Sequence, residues 1–406
     1  MENRKALVIT AMVLMMAIIS CGFPAGSDQT DQTPTVSNTA TNTPLPPSTS
    51  TPTPTEEPTP SLPVYVDPVI FRFAFFTPTQ GWAVTRDGNT LLFTVDGGQT
   101  WLNATPSELN TLPPGITSLS IRPFFLDESM VWFTPNTSNG AELYHSSDSG
   151  QHWTITSPPF DNARYHFLNL NDGFALVSLG AGAGSHYVAL YQTPDAGATW
   201  TEVFSHEPME MKSLREGGSK NGITFLNVDR GWVGGAIPMD DYFYLFVTED
   251  GGATWAQEPD ISLPATFTGS ILDGWQPFFV DDTVGYLPVR ALGSGSVSHL
   301  LIYRSNNGGQ TWTYQNAIQE GEVVDFTSVN EGWLASSTGL HHTTDGGATW
   351  SPVTASGIPA GEYFLNMDFV DSHHGWVLTT PDDFTWDPMR FFHTEDGGET
   401  WVQLPP

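Results

Sequence analysis

The sequence predicts an all-β fold, a seven-bladed β-propeller of four-stranded antiparallel blades, and three observations carry that expectation. First, the octet Thr94-Val95-Asp96-Gly97-Gly98-Gln99-Thr100-Trp101 recurs, seven copies in all, the others ending at Trp153, Trp200, Trp255, Trp312, Trp350 and Trp401. Second, an aromatic residue, usually after Gly, stands at Trp82, Trp132, Phe174, Trp232, Tyr286, Trp333 and Trp376. Third, a phenylalanine lies seven residues before each of these, at Phe75, Phe125, Phe167, Phe225, Phe279, Phe326 and Phe369. Intervals of 38 to 57 residues between octets leave room for the four short strands that a propeller blade needs.

Each repeat then reads as strands A to D. Strand A carries the phenylalanine, strand B starts at the Gly-aromatic pair, strand C enters the octet and strand D starts at its tryptophan. The octet, an Asp box, suits a tight turn in which a carboxylate accepts backbone N–H bonds while glycine takes positive φ. Asp96, Asp148, Asp195, Asp250, Asn307, Asp345 and Asp396 are therefore read as structural, all on one face, with the aromatics filling the wedges between blades. Two boxes depart from pattern: Asn307 replaces Asp yet still accepts through its amide oxygen, and the second repeat has Ser149 for Gly and His152 for Thr. The ring closes by packing of complete blades, with Pro63 to Asp67 available as an added strand.

Ahead of the repeats, residues 1–21 read as a lipoprotein signal. Arg4 and Lys5 precede an apolar run from Ala6 to Ile19, too short to span a bilayer comfortably, that ends in Ile18-Ile19-Ser20-Cys21. Cys21 is the only cysteine and stands where a lipobox cysteine would be lipidated, which excludes intramolecular disulfides and multi-cysteine metal sites. Residues 22–63 read as a disordered tether: from Ser27 to Pro63, 25 of 37 residues are Ser, Thr or Pro. Extended at ~3.1 Å per residue, it would hold residues 64–406, the propeller, on the order of 100 Å from a membrane, at the cell surface or in the periplasm.

The net charge is −31, which disfavours nucleic acid as a partner. No EF-hand spacing accompanies it, and Asp240-Asp241, Asp281-Asp282 and Asp382-Asp383 read as solvated loops. The histidines, including His341-His342 and His373-His374, read as loop and turn residues, and neither a metal nor a cofactor is implied.

Gly-Trp strands combined with Thr-x-Asp-Gly-Gly-x-Thr-Trp boxes resemble the photosystem II assembly and stability factor family, and more loosely the bacterial neuraminidase repeat superfamily, over about residues 68–404. That resemblance implies a seven-bladed propeller outside the cytoplasm and a non-catalytic chaperone that binds a protein during assembly. The tether and the acidity are departures from the photosynthetic members. Sialidases share the box but need an arginine triad, a Tyr nucleophile with a Glu partner and an Asp acid. Their Arg-Ile-Pro signature is absent, since Ile121-Arg122-Pro123 has the wrong order. Xyloglucanases with such repeats place a cleft between two propellers, and only one fits here. No His-Glu-x-x-His, Gly-x-Ser-x-Gly or phosphate loop occurs. The expectation is a monomeric, non-catalytic binding scaffold, with a glycoside hydrolase of sialidase or xyloglucanase type as the alternative.

The positive charges locate the candidate site. Ten residues before the strand-B aromatic, the first three repeats carry Arg72, Arg122 and Arg164, where the others carry Gly222, Gln276, Val323 and Asn366. Arg86 and Arg290 follow the same aromatic by four, Arg390 begins a strand C, and Lys212, Arg215 and Lys220 fall in the loop joining repeats three and four. These are expected on the top face, walled by Ser205–Asn221 and Thr380–Met389, with Trp386 as a stacking surface. The ligand expected there is an acidic protein segment or an anionic glycan.

Overall fold

A computed structural model of the protein describes residues 62–111, 116–136, 141–206, 213–258, 261–293, 297–381 and 385–405. Cys21, the signal, most of the expected tether, Lys212 and Asp382-Asp383 lie outside the described residues.

Short runs rich in Val, Ile, Phe, Trp and Thr, punctuated by Gly and Asp, favour pleated backbone over helix. The described chain follows suit, with strands throughout and two short 3-10 turns, Ser107–Leu109 and Ala265–Phe267. Among the described residues the strands form six antiparallel sheets: one of five strands, four of four and one of nine. Sequence neighbours pair within each repeat. In the sixth, Gly321–Phe326 pairs with Gly332–Ser336, which pairs with Gly339–Thr343, which pairs with Ser351–Pro352. The nine-stranded sheet fuses repeats four and five, because Ile271–Gly274 pairs with both Gly231–Asp240 and Gly285–Leu292. Val64–Tyr65 pairs with Trp101–Asn103 as the fifth strand of the first sheet.

The Gly-aromatic landmark has a steric cause. At Gly81, Gly173, Gly231, Gly285, Gly332 and Gly375 the ring of the paired phenylalanine lies across the glycine, and an added Cβ would come within 2.3–2.6 Å of it. In the second repeat Val131 takes this place opposite Phe125. The same phenylalanine meets the aromatic of the preceding repeat. Trp132 stacks on Phe167 at 4.0 Å, Phe174 on Phe225 at 3.5 Å, Tyr286 on Phe326 at 3.5 Å and Trp333 on Phe369 at 4.0 Å. Trp82 and Phe125, and Trp232 and Phe279, sit farther apart, at 5.7 and 5.1 Å. The series returns on itself, since Trp376 of the last repeat stacks on Phe75 of the first at 3.6 Å. The core is therefore a set of clusters between successive sheets, one of which joins Phe73, Phe75 and Trp101 to Trp376, Phe391 and Leu404.

The Asp boxes are hydrogen-bonded turns. In the fourth, Asp250 Oδ1 accepts from Thr248 Oγ1 at 2.9 Å and the Thr254 amide at 2.8 Å, while Oδ2 accepts from Thr254 Oγ1 at 2.6 Å. These donors hold its carboxyl below the usual range. Asn307 keeps the first two bonds through Oδ1, and its Nδ2 donates to Thr311 Oγ1 at 3.0 Å. In the second box His152 Nδ1 stands 2.5 Å from Asp148 Oδ2, replacing the hydroxyl. Ala196, at φ +60°, is a third departure. Each box is also tied to the turn between the first two strands of its own repeat, for example Gly251 N to Asp229 O and Gly346 N to Asn330 O, both 2.8 Å. Asp250→Ala or Asp345→Ala strands such donors, and the expected result is a loss of about 1–3 kcal/mol in denaturant titrations, without selective loss of ligand binding. A variant that keeps its stability and loses binding refutes the structural role.

Position also matters one residue before the phenylalanine, where three side chains bond the next repeat's backbone. His166 Nε2 lies 2.9 Å from Phe225 O, Asp325 Oδ2 accepts from Phe369 N at 2.7 Å, and Asp368 Oδ2 accepts from Phe75 N at 2.6 Å across the closure. Burial pushes His166 down to about 4 and Asp325 up to about 6. Burial and the charge of Asp325 raise Asp368 well above the ordinary range.

Candidate functional site

Arg72, Arg122 and Arg164 stand three residues before their phenylalanines in three consecutive repeats, Arg72 and Arg164 within the first strands Ile70–Phe75 and Ala163–Phe167 and Arg122 two residues ahead of Phe124–Phe125. The register places them together. Burial, then the charges of Arg122 and Arg164, lowers Arg72 to about 10, and burial, then Arg122, lowers Arg164. Like charges raise each other's energy in this way only at close quarters with limited water. Arg72 lies over the Phe71 ring at 5.8 Å, and Phe71 packs against Trp386, ring centroids 6.3 Å apart. Arg122 and Arg164 have no ion-pair partner among the described residues.

The other predicted arginines are engaged. Arg86 donates to Thr385 O at 3.0 Å and pairs with Asp387 at 3.2 Å. Arg390 pairs with Glu362, which also accepts from Thr379 Oγ1 at 2.8 Å. Arg290 reaches Glu322 O at 3.4 Å; burial lowers its pKa against the charges of Glu322 and Asp273. Asp273 is itself pushed up to about 6 by burial, although Arg290 and an Asn221 amide at 2.9 Å oppose the shift. These three arginines hold loops and strand edges together, and the convergent positive charge belongs to Arg72, Arg122 and Arg164.

A cavity of about 540 Å³ opens beside Arg122 and Arg164, between the second and third repeats. His186, Ser178 and Lys220 complete its floor. His186 and Ser178 belong to the hairpin Gly173–Gly182/Ser185–Thr193, whose first strand has ten residues where the corresponding strand of the first repeat has five. In the sequence this shows only as a long stretch between Phe174 and the third Asp box, a spacing that the fifth repeat shares. His186 Nδ1 accepts from the Lys220 amide at 3.3 Å, so Nε2 carries the proton and donates to Ser178 Oγ at 3.0 Å. Burial, then the Lys220 and Arg164 charges, depresses His186 to about 4. This pair has the polarity opposite to a nucleophilic dyad, because the imidazole nitrogen facing the hydroxyl is a donor and has no lone pair to take its proton. Lys220 Nζ donates to His186 O at 2.7 Å and Glu216 O at 2.5 Å, and burial lowers it to about 7.

Among the described residues no cluster of three or more His, Cys, Asp or Glu has metal-binding geometry, and no helix is long and apolar enough to cross a membrane. His342 stacks on Trp333 and faces Glu331 at 3.2 Å, and His374 Nδ1 meets Asp371 at 2.9 Å. Asp281 accepts the amides of Thr283 and Val284 in a turn.

No family model matches the chain. A xyloglucanase from Paenibacillus sp is 22% identical over 321 residues, 71% of this chain and 26% of that protein, so the chain spans about a quarter of that relative's length. Among solved structures, YCF48 bound to D1 peptide is 19% identical with a TM-score of 0.50, covering 83% of this chain and 99% of that one. A xyloglucanase from Xanthomonas campestris is 15% identical with a TM-score of 0.54, covering 83% and 56%. An oligogalacturonate lyase from Vibrio parahaemolyticus is 10% identical with a TM-score of 0.51, covering 82% and 91%. At such identities the likeness shows the fold alone: an all-β chain of propeller type.

Proposed function

We propose that this chain is a seven-bladed β-propeller, held outside the cytoplasm by a lipid on Cys21, that acts as a non-catalytic binding scaffold for an acidic protein segment. The observation that carries the reading is the arginine cluster. Burial and then the nearby guanidinium charges lower Arg72 and Arg164 on an acidic body, and Arg122 and Arg164 lack a carboxylate partner among the described residues. A positive mouth of this kind focuses anions and offers planar forks to carboxylates. The resemblance to photosystem II assembly and stability factors supports a protein partner, as does the fold likeness to YCF48, seen bound to D1 peptide. The donor polarity of the Ser178–His186 pair supports binding over catalysis, as do the bonds of Asp325 and Asp368 to backbone amides.

A fluorescent oligoglutamate peptide titrated into the full chain tests the site. Arg72→Glu, Arg122→Glu and Arg164→Glu together are expected to weaken binding at least tenfold with the fold intact. Unchanged affinity rejects the site, and release of reducing sugar from xyloglucan or a sialoside by the unmodified chain rejects the scaffold reading. For the anchor, metabolic labelling with a fatty-acid analogue is expected to mark the protein and to spare Cys21→Ser. Equal labelling of both refutes lipidation.

A further inference from the structure

We propose that the cavity between the second and third repeats is a binding site for a phosphate monoester, which would make the acidic segment of the proposed function a phosphorylated one. The inference rests on that reading and adds the chemistry of the anion.

Charge comes first. Arg122, Arg164 and Lys220 line the cavity, and Asp161, exposed at the rim, is the one carboxylate among its described lining residues. Two guanidinium groups and Lys220, which at about 7 is about half protonated near neutrality, set against one carboxylate leave a charge of about +1.5, more than a single carboxylate neutralises and within reach of a phosphate ester, at about −1.5 to −2 near pH 7. Arg72, outside the cavity lining, is lowered by burial and then by the charges of Arg122 and Arg164, which shows that its own charge is felt at this pair.

Donor geometry points the same way. Because His186 Nε2–H is given to Ser178 Oγ, the Ser178 hydroxyl hydrogen is left to turn towards the cavity. The floor thus presents guanidinium N–H groups and a hydroxyl O–H, a set suited to an oxyanion with more than two acceptor oxygens. Lys220 is fixed by the His186 and Glu216 carbonyls, so it supplies charge from a set position and keeps the hairpin and the Glu216 loop in register.

Size then separates an ester from the free ion. At ~30 Å³ per water, the cavity has room for about eighteen waters, whereas phosphate has only five heavy atoms. An alkyl or amino-acid body fits behind the phosphoryl group.

Calorimetric titration of the full chain with phosphoserine, inorganic phosphate and acetate, at constant ionic strength and pH 7.5, tests this. Phosphoserine is expected to bind at least tenfold more tightly than acetate and more tightly than inorganic phosphate, and Arg122→Gln and Arg164→Gln are each expected to weaken it at least tenfold. Arg122 is exposed, so Arg122→Gln decides the matter even if Arg164→Gln does not fold. Acetate equal to phosphoserine overturns the proposal, as does phosphoserine binding unaltered in Arg122→Gln. Inorganic phosphate binding as tightly as phosphoserine overturns the ester. Oligoglutamate binding that falls with the triple charge reversal while phosphoserine shows no preference marks failure of this inference alone, and loss of neither marks failure of the underlying site.

Discussion

Trp376→Ala is expected to destabilise the protein by about 3–5 kcal/mol. Trp376 is fully buried, and its ring lies parallel to Phe75 at 3.6 Å, across the junction between the last repeat and the first. Its Nε1 donates to Gly97 O at 2.9 Å, tying the strand to the first Asp box. Truncation therefore opens a cavity, removes an aromatic pair and leaves a buried carbonyl without its donor, three losses that act at one seam. Hydrogen exchange should show the change as lost protection in Ile70–Phe75 and Gly375–Thr380 before other strands. Trp376→Phe keeps the stack without the N–H and should fall between the two. A loss below about 1 kcal/mol, or exchange that rises evenly around the molecule, would mean that the junction does not hold the ring closed.

The second large effect concerns pH. In the folded state Asp325 is raised to about 6 by burial, and Asp368 is raised further by burial and the Asp325 charge. A carboxyl whose folded pKa is raised binds more protons than the unfolded chain above about pH 4, so its contribution is favourable in acid and is lost as pH rises through 6. For Asp325 alone this is about 3 kcal/mol, at 1.36 kcal/mol per pKa unit. His166 works in the opposite sense. Its folded pKa of about 4 lies below the unfolded value, so its contribution is full above about pH 6.5 and is lost as pH falls towards 4. The two terms oppose each other between pH 4 and 6.5 and flatten the profile of the native chain. Asp325→Asn paired with Asp368→Asn keeps an oxygen for the Phe369 and Phe75 amides and removes the titration. The double variant is expected to be more stable than the native chain at pH 8, by at least about 3 kcal/mol, the contribution of Asp325, because Asp368 adds in the same direction, and to converge with it near pH 4. A stability difference independent of pH would show that these carboxyls do not titrate in this range.

The repeat arithmetic of the sequence accounts for most of the fold, because each landmark residue answers a local demand. The Asp-box oxygens receive donors four residues on, and the glycine before six of the seven aromatics admits the phenylalanine ring of the paired strand. Such demands are met within a span of about ten residues, so spacing alone reveals them. Convergence of Arg72, Arg122 and Arg164 was also legible, since equivalent positions in consecutive repeats fall side by side once the repeats form a ring. The pairing of Arg86 with Asp387 and of Arg390 with Glu362 was not, because those carboxylates sit in irregular loops with no repeat register.

By itself, then, the sequence determined the all-β class, the strand order within each repeat, the turn chemistry and the level at which three arginines enter. Only the tertiary structure decided which arginines keep their charge uncompensated, that Ser178, His186 and Lys220 floor a cavity beside them, and that Asp325 and Asp368 share buried surroundings. The physical reason is range. Backbone bonding and side-chain sterics act between chain neighbours and leave a period in the sequence, whereas burial and Coulomb coupling depend on distances between residues that are far apart in the chain and close only once it has folded.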